Sequence, residues 1–219
     1  MVFILSVETA TKNCSVSLSK NGKTLSCKEI AEQNFSHAEK LHVFIEEILK
    51  ENNIRLQDLN AIAVSKGPGS YTGLRIGVSS VKGLCFALNI PMIAIDTLTL
   101  LAKQITINNG IIIPMIDARR MEVYSAFFDQ EHTMQREVRA DIIDENSYAD
   151  ITTNIHLVGD GIAKFKEVLT NDKFIFHDAV IYPSANEMSD LAFEKYKISD
   201  FVDAAYFEPY YLKDFLLNK

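Results

Sequence analysis

Glycines cluster at one point of the sequence. Gly67, Gly69, Gly73 and Gly77, four of the nine glycines, lie within the stretch KGPGSYTGLRIG at residues 66–77. An apolar run at 61–65, typical of a buried strand, precedes them. A glycine-rich turn between a strand and a helix is a common phosphate-binding arrangement, because exposed backbone amides and the helix dipole both favour an anion. Phosphate binding is therefore one interpretation of this stretch.

The spacing fits neither of the common nucleotide-binding motifs. A Walker loop ends in Gly-Lys followed by Ser or Thr, whereas Leu74 and Arg75 follow Gly73. A dinucleotide fingerprint, GxGxxG, would need a glycine where Thr72 stands. The sequence therefore weakens the nucleotide interpretation without replacing it.

A helix-packing seam is the alternative interpretation of the same glycines. Small and apolar residues recur every four positions and so share one helix face: Gly69, Gly73, Gly77 and Val81, continuing toward Leu84. Another backbone can approach such a face closely. The seam is filled either by another part of the same chain or by a partner protein, and the pattern favours neither.

Composition restricts the classes of function. The 219 residues carry 22 Lys and Arg against 29 Asp and Glu, a net charge of −7, with no basic run longer than Arg119-Arg120. Such a surface is not expected to bind nucleic acid by itself. Three cysteines without CxxC spacing indicate free thiols, and no leader or membrane span is visible. We expect a cytoplasmic protein.

The first half of the chain predicts three strands followed by alternating helices and strands. The strands fall at 3–7, 14–19 and 23–30, and Ser36 with Glu39 forms a capping-box pattern before a helix at 37–51. After the strand at 61–65 we expect a helix at 70–88, a strand at 92–95 and a helix at 97–107. This order predicts a mixed sheet flanked by helices, the ribonuclease H-like arrangement.

The same order restarts after Asn108-Asn109-Gly110. Strands are predicted at 111–117, 122–129, 133–140 and 156–159, a helix at 162–169, and a late helix at 187–197 after a Ser184–Glu187 capping box. The sequence therefore predicts two lobes, 1–107 and 108–219. Whether the C-terminal segment packs back on the first lobe is left open.

Two predicted hairpins occupy the positions where an actin-like fold would place its phosphate loops. Glu8 and Thr9 lie in the first hairpin, and Asp117 and Arg119 lie in the second. Neither hairpin contains the glycine that a phosphate loop needs beside its acidic residue. These four residues are the candidates for a remnant nucleotide site. The histidines show no metal-ligand spacing, so we expect no metal site.

Several motifs together resemble one family. VETAT at 7–11, KGPGSYTGLRIG at 66–77, KGLCFALNIP at 82–91, DARRMEVY at 117–124 and EPYYL at 208–212 are similar to the TsaB family, also called YeaZ. The resemblance implies an actin-like ATPase fold of two ribonuclease H-like lobes. It also implies a role in placing threonylcarbamoyl on N6 of the tRNA adenosine beside the anticodon.

The resemblance further implies a subunit without catalytic residues or a cofactor of its own. In that family the paralogue TsaD performs the transfer and holds metal and nucleotide, and the ATPase TsaE joins the complex. Docking to TsaD uses the helices corresponding to 37–51 and 70–88, which makes these the candidate interface residues: Leu41, Ile45, Gly69, Gly73, Gly77, Val81 and Leu84. A homodimer of the isolated chain is left open. The alternative is an enzyme in its own right, a weak ATPase or a protease.

Overall fold

The computed structural model describes residues 1–31 and 37–212. By its internal contacts the chain divides into two compact units. The first unit contains Met1–Thr97 and the chain from Pro183 onward, and the second contains Leu98–Tyr182. The capping residue expected at Ser36 lies outside the described residues.

The first unit is a five-stranded mixed sheet with helices. In chain order its elements are β1 (Phe3–Glu8), β2 (Asn13–Lys20), β3 (Lys23–Ala31), α1 (His37–Glu51), β4 (Ala61–Ser65), α2 (Tyr71–Leu88) and β5 (Met92–Ile95). The strand order is β3-β2-β1-β4-β5. β1, β2 and β3 pair antiparallel, whereas β4 and β5 are parallel to β1.

The second unit repeats this topology. After α3 (Thr97–Ala102) come β6 (Ile111–Asp117), β7 (Glu122–Phe128), β8 (Met134–Ile142), β9 (Ile155–Val158) and β10 (Phe174–Phe176). The strand order β10-β9-β6-β7-β8 is the order of the first sheet read from the other edge. β6, β7 and β8 are antiparallel, and β9 and β10 are parallel to β6. The repeated order predicted from the sequence is confirmed.

The second unit differs from the first in its crossover connections. The predicted helix at 162–169 is wrong, because this stretch forms a 3-10 turn at Ala163–Phe165. Its apolar residues are nevertheless buried, since Ile162, Phe165 and Leu169 pack in one core cluster with β6 and β9. The predicted third helix ends at Ala102 instead of 107. The short strand β10 was not predicted.

The C-terminal part of the described chain, from Pro183 onward, lies with the first unit, which the sequence left open. The boundary between the two units follows Thr97, instead of the predicted position 107/108. The last helix, α4 (Met188–Lys197), contacts β1, β2, β4 and β5. The turn before it is bonded to the first sheet: the Ala185 amide donates to Ser15 Oγ (2.8 Å), and Ser17 Oγ donates to the Ala185 carbonyl (2.6 Å). α4 therefore covers a face of the first sheet.

Candidate functional site

The turn after β1 packs directly on the start of α2. The Ser70 amide donates to the Ala10 carbonyl at 2.6 Å, and the Gly73 amide donates to the Ser70 side chain at 3.3 Å. Thr9 Oγ1 donates to the Gly73 carbonyl at 2.8 Å. The amides of Ser70 and Gly73, which a phosphate would need at this helix start, are thus already bonded within the chain.

The same turn fills the small-residue seam of α2. A Cβ added at Gly69 would lie 2.3 Å from the Ala10 carbonyl oxygen, and one at Gly73 would lie 2.1 Å from that of Thr9. At Gly77 it would lie 2.2 Å from Thr9 Oγ1. These three glycines are therefore required by the chain's own hairpin. Their assignment to a partner interface is corrected: the seam is internal, and a hairpin turn, not a helix, fills it.

This packing has a direct electrostatic consequence for phosphate binding. The atoms next to Gly69 and Gly73 are carbonyl oxygens of Ala10 and Thr9, which carry partial negative charge. A phosphate group requires amide hydrogens at that distance. The glycine stretch of this chain is therefore shaped for the approach of its own backbone instead of an anion.

Glu8 is a buried carboxyl group at the end of β1. The side chain has no solvent exposure, and Oε1 accepts a 2.5 Å hydrogen bond from the Ala10 amide. Oε2 has no partner at normal hydrogen-bond geometry. Burial raises the pKa of Glu8 to about 7, against smaller opposing effects of Ser65 and of the Ala10 and Thr9 backbone. Glu8 fixes the turn internally and Thr9 holds it on α2, and both side chains are buried.

The second hairpin, at the end of β6, is held by hydrogen bonds within it and by two side chains from a later segment. Asp117 Oδ1 accepts from the Arg119 amide (2.9 Å) and from Lys164 Nζ (2.6 Å). Lys164 also donates to the carbonyls of Arg120 and Glu122. The Asp117 amide donates to Asp160 Oδ1 at 2.9 Å. Asp117 is thus the acceptor that fixes the turn, and sequence analysis missed Asp160 and Lys164 because they lie more than 40 residues away.

Most of the predicted interface side chains belong to the core. Leu41 and Val81 have no exposed surface and Ile45 has 5%, and all three lie in the main core cluster of the first unit. Their assignment to an interface is corrected, because these apolar side chains pack on the first sheet. Leu84, by contrast, is a partly exposed side chain of that set.

A different set of residues forms the surface of these two helices. Exposed small residues recur every four positions on α2, at Ser79, Gly83 and Ala87. A Cβ at Gly83 would meet nothing within 4 Å. Phe86 is 89% exposed beside them. We call these four residues, together with the exposed His42 and Glu46 of α1, the outer helix face.

An apolar groove adjoins the outer helix face. It has a volume of about 460 Å³ and is lined by residues of α1, of the loop after it and of α2: His42, Ile45, Glu46, Leu49, Lys50, Ile54, Leu56 and Leu84. His42 Nε2 and Ser80 Oγ, 3.2 Å apart, connect the two helices at its edge. The groove is large enough to accept apolar side chains of a docked helix.

The EPYYL motif is fixed to the start of α2. The Tyr210 amide donates to the Lys66 carbonyl at 2.7 Å, and the Tyr211 ring centroid lies 4.8 Å from that of Tyr71. Arg75 lies over the Tyr71 ring at 4.1 Å. Further along α2, Lys82 Nζ donates to the carbonyls of Ala205 and Phe207 at 3.1 Å each. The EPYYL motif and the glycine-rich motif, more than 130 residues apart in the sequence, are therefore in direct contact.

Within residues 1–31 and 37–212, no three His, Cys, Asp or Glu side chains come together in a way that would hold a metal ion. In the same ranges no helix is long and apolar enough to cross a membrane.

The repeated mixed sheets define the class of this protein as the actin-like, ribonuclease H-like fold. The family model described as "TsaD: tRNA N6-adenosine threonylcarbamoyltransferase" matches residues 29–204. The chain belongs to this family.

The relatives that match this chain over nearly its whole length are named TsaB. The chain is 29% identical to the tRNA threonylcarbamoyladenosine biosynthesis protein TsaB of Escherichia coli, over 96% of this chain and 94% of the relative. It is 28% identical to that of Haemophilus influenzae, over 96% and 93%. The solved structure of YeaZ from Pseudomonas aeruginosa matches with a TM-score of 0.83 and 27% identity, covering 97% of this chain and all of that one. The resemblance seen in the sequence is confirmed.

Proposed function

We propose that this chain is a non-catalytic subunit for threonylcarbamoylation of N6 of the tRNA adenosine beside the anticodon, acting with TsaD and TsaE. The family and the names of the relatives support the pathway. One observation carries the non-catalytic assignment. At the start of α2, where a phosphate would need free amides, the turn of the first hairpin presents the carbonyl oxygens of Thr9 and Ala10 to the helix.

The chemistry in this proposal belongs to the partner proteins. ATP and the metal ion of the transfer reaction are held by the partner subunits, and this chain contributes no cofactor of its own to that reaction. tRNA reaches the chain only within the complex, because a net charge of −7 disfavours phosphate binding by the isolated protein. We expect the complex to act in the cytoplasm, without membrane attachment.

The outer helix face is the proposed docking surface for TsaD. A partner helix can approach closely over Ser79, Gly83 and Ala87, because these side chains are small and exposed. Phe86 beside them is the kind of aromatic residue that contributes strongly to interfaces. In the isolated chain the same face is available for a homodimer.

Replacing Gly83 tests this surface. Gly83→Leu should leave the isolated chain folded, because the position is open. It should also weaken association with TsaD by roughly 5- to 150-fold, from an overpacking cost of about 1–3 kcal/mol. Gly83→Ala is the matched control with a much smaller side chain. Association is measured by calorimetry of the purified proteins, and an unchanged affinity for the leucine variant would remove the outer helix face from the proposal.

The alternative of an independent enzyme is tested on the purified chain alone. We expect no hydrolysis of ATP and no cleavage of protein substrates. The chain should nevertheless be required when threonylcarbamoylation is reconstituted with TsaD, TsaE, ATP and tRNA. Turnover of ATP or peptide by the isolated chain, absent from a mock purification, would contradict the proposal.

A further inference from the structure

Two histidines meet at one edge of the second sheet. Nδ1 of His156 lies 2.9 Å from Nε2 of His177, and the ring centroids are 5.2 Å apart. His156 is on β9 and His177 directly follows β10. Both rings are partly exposed, so the pair is accessible to ions in solution.

The strand register explains why the two rings face each other. β9 and β10 are parallel, and His156 is paired with Ile175. His177 comes two residues after Ile175 and so lies on the same face of the sheet. The His177 amide donates to the Leu157 carbonyl at 2.9 Å, which continues the pairing past the end of β10. The position of the two rings is therefore set by the backbone.

The surroundings favour the neutral form of both rings. Burial lowers the pKa of both histidines, and the nearby His177 lowers that of His156 further. The Asn109 backbone opposes this shift in the pKa of His156. Because Nδ1 faces His177, only Nε2 of His156 is left for that interaction, and Nε2 is buried without a hydrogen-bond partner at normal geometry.

We propose that His156 and His177 form a binding site for a divalent transition-metal ion, with water molecules completing its coordination. One of the two facing nitrogens carries the proton of the present hydrogen bond. On metal binding that proton moves to the other nitrogen of its own ring, so that both facing nitrogens offer lone pairs to the ion. For two neutral rings this exchange of tautomers releases no net proton.

The geometry requires only a small adjustment. Tetrahedral coordination at about 2.0–2.1 Å separates two imidazole nitrogens by about 3.3 Å. The observed 2.9 Å must therefore open slightly, which turning of the two rings achieves while the strands stay in place. Two protein ligands make an exchangeable site instead of a closed structural one.

Imidazole ligands determine which ions the site would take. Neutral imidazole suits Zn²⁺, Cu²⁺ and Ni²⁺, whereas Mg²⁺ prefers oxygen ligands. For a site made of two imidazoles and water, affinity should increase from Co²⁺ to Ni²⁺ to Cu²⁺, and Zn²⁺ should bind more weakly than Cu²⁺. Mg²⁺ should not compete with any of these ions.

The test is a calorimetric titration of the purified chain with Ni²⁺. The native protein should bind one ion, and His156→Ala and His177→Ala should each weaken binding by about tenfold or more, since even the loss of an outer-shell partner typically has an effect of that size. His132→Ala is the control, because it removes a partly exposed imidazole elsewhere in the second unit. Native affinity in both β9–β10 variants, or loss of binding in the control, would overturn the proposal.

A second measurement needs no variant and so does not depend on whether the variants fold. Cu²⁺ added to isotopically labelled native protein should broaden the amide signals of Asn109, His156 and His177 at the lowest metal concentrations. The Cu²⁺ electron paramagnetic resonance spectrum should show two imidazole nitrogens. Broadening that begins elsewhere in the chain would contradict the site.

Discussion

Replacing the buried Glu8 carboxyl with an amide should make the stability of the protein less dependent on pH. Burial raises the pKa of Glu8 from 4.5 to about 7 in the folded chain. The folded state therefore binds this proton more tightly than the unfolded state. Its stabilising contribution is complete below about pH 4.5, where both states are protonated, and is lost as the pH rises through about 7.

The size of the effect follows from the shift. One pKa unit corresponds to about 1.4 kcal/mol, so between pH 5 and pH 8 the native protein should lose about 2–3 kcal/mol of unfolding free energy through Glu8. Glu8→Gln removes this dependence. The glutamine oxygen can still accept the hydrogen bond from the Ala10 amide. The glutamine nitrogen takes the place of the unpartnered Oε2, which lowers the unfolding free energy by the same amount at every pH.

The assay is urea unfolding at several pH values between 5 and 8. The unfolding free energy of Glu8→Gln minus that of the native protein should rise by about 2–3 kcal/mol across this range. Glu46→Gln is the control, because it removes an exposed carboxyl of α1 without changing a buried one. Parallel profiles for Glu8→Gln and the native chain would show that the Glu8 carboxyl is hydrated, as in an open ligand cleft, and would refute the closed-turn interpretation.

Three further predictions concern α2 and the surface charge. Gly73→Ala should destabilise the isolated chain by roughly 1–3 kcal/mol in urea unfolding, because its Cβ would meet the Thr9 carbonyl. Gly83→Ala on the same helix should stabilise it by up to about 1 kcal/mol, and equal effects of the two changes would contradict the packing. Lys82→Met removes two hydrogen bonds to the C-terminal segment, so amide exchange at residues 205–212 should become faster by mass spectrometry, and unchanged exchange would remove Lys82 as its anchor. Filter binding at near-physiological salt should show no tight complex between the isolated chain and tRNA, and a submicromolar affinity would contradict this expectation.

The sequence predicted the architecture well because periodicity reports on burial. The two sets of strands and the amphipathic pattern of α1 were visible in the alternation of apolar residues. The likeness of the second lobe to the first was inferred from the order of its predicted elements alone. The crossover at 162–169 was misjudged because its apolar spacing resembles that of a helix, whereas the chain buries the same residues through a 3-10 turn.

The site was harder to predict because periodicity does not identify neighbours. Gly69, Gly73 and Gly77 mark a face that something approaches, and only the fold shows that the approaching element is the Thr9–Ala10 turn. Burial also separates residues of α2 that the sequence grouped together: Val81 is in the core, whereas Leu84 is partly exposed. His156 and His177, 21 residues apart, meet only because β9 and β10 are parallel neighbours.

The most direct test of the central claim is the threonylcarbamoylation rate of a complex reconstituted with Glu8→Gln or Asp117→Asn. If the two hairpins are structural, each variant should change the rate by less than about tenfold, the ~1.4 kcal/mol that a lost structural hydrogen bond explains. A catalytic acid or base contributes about a hundredfold or more. A loss of that size in either variant, with folding and TsaD binding intact, would contradict the account and make this chain an enzyme.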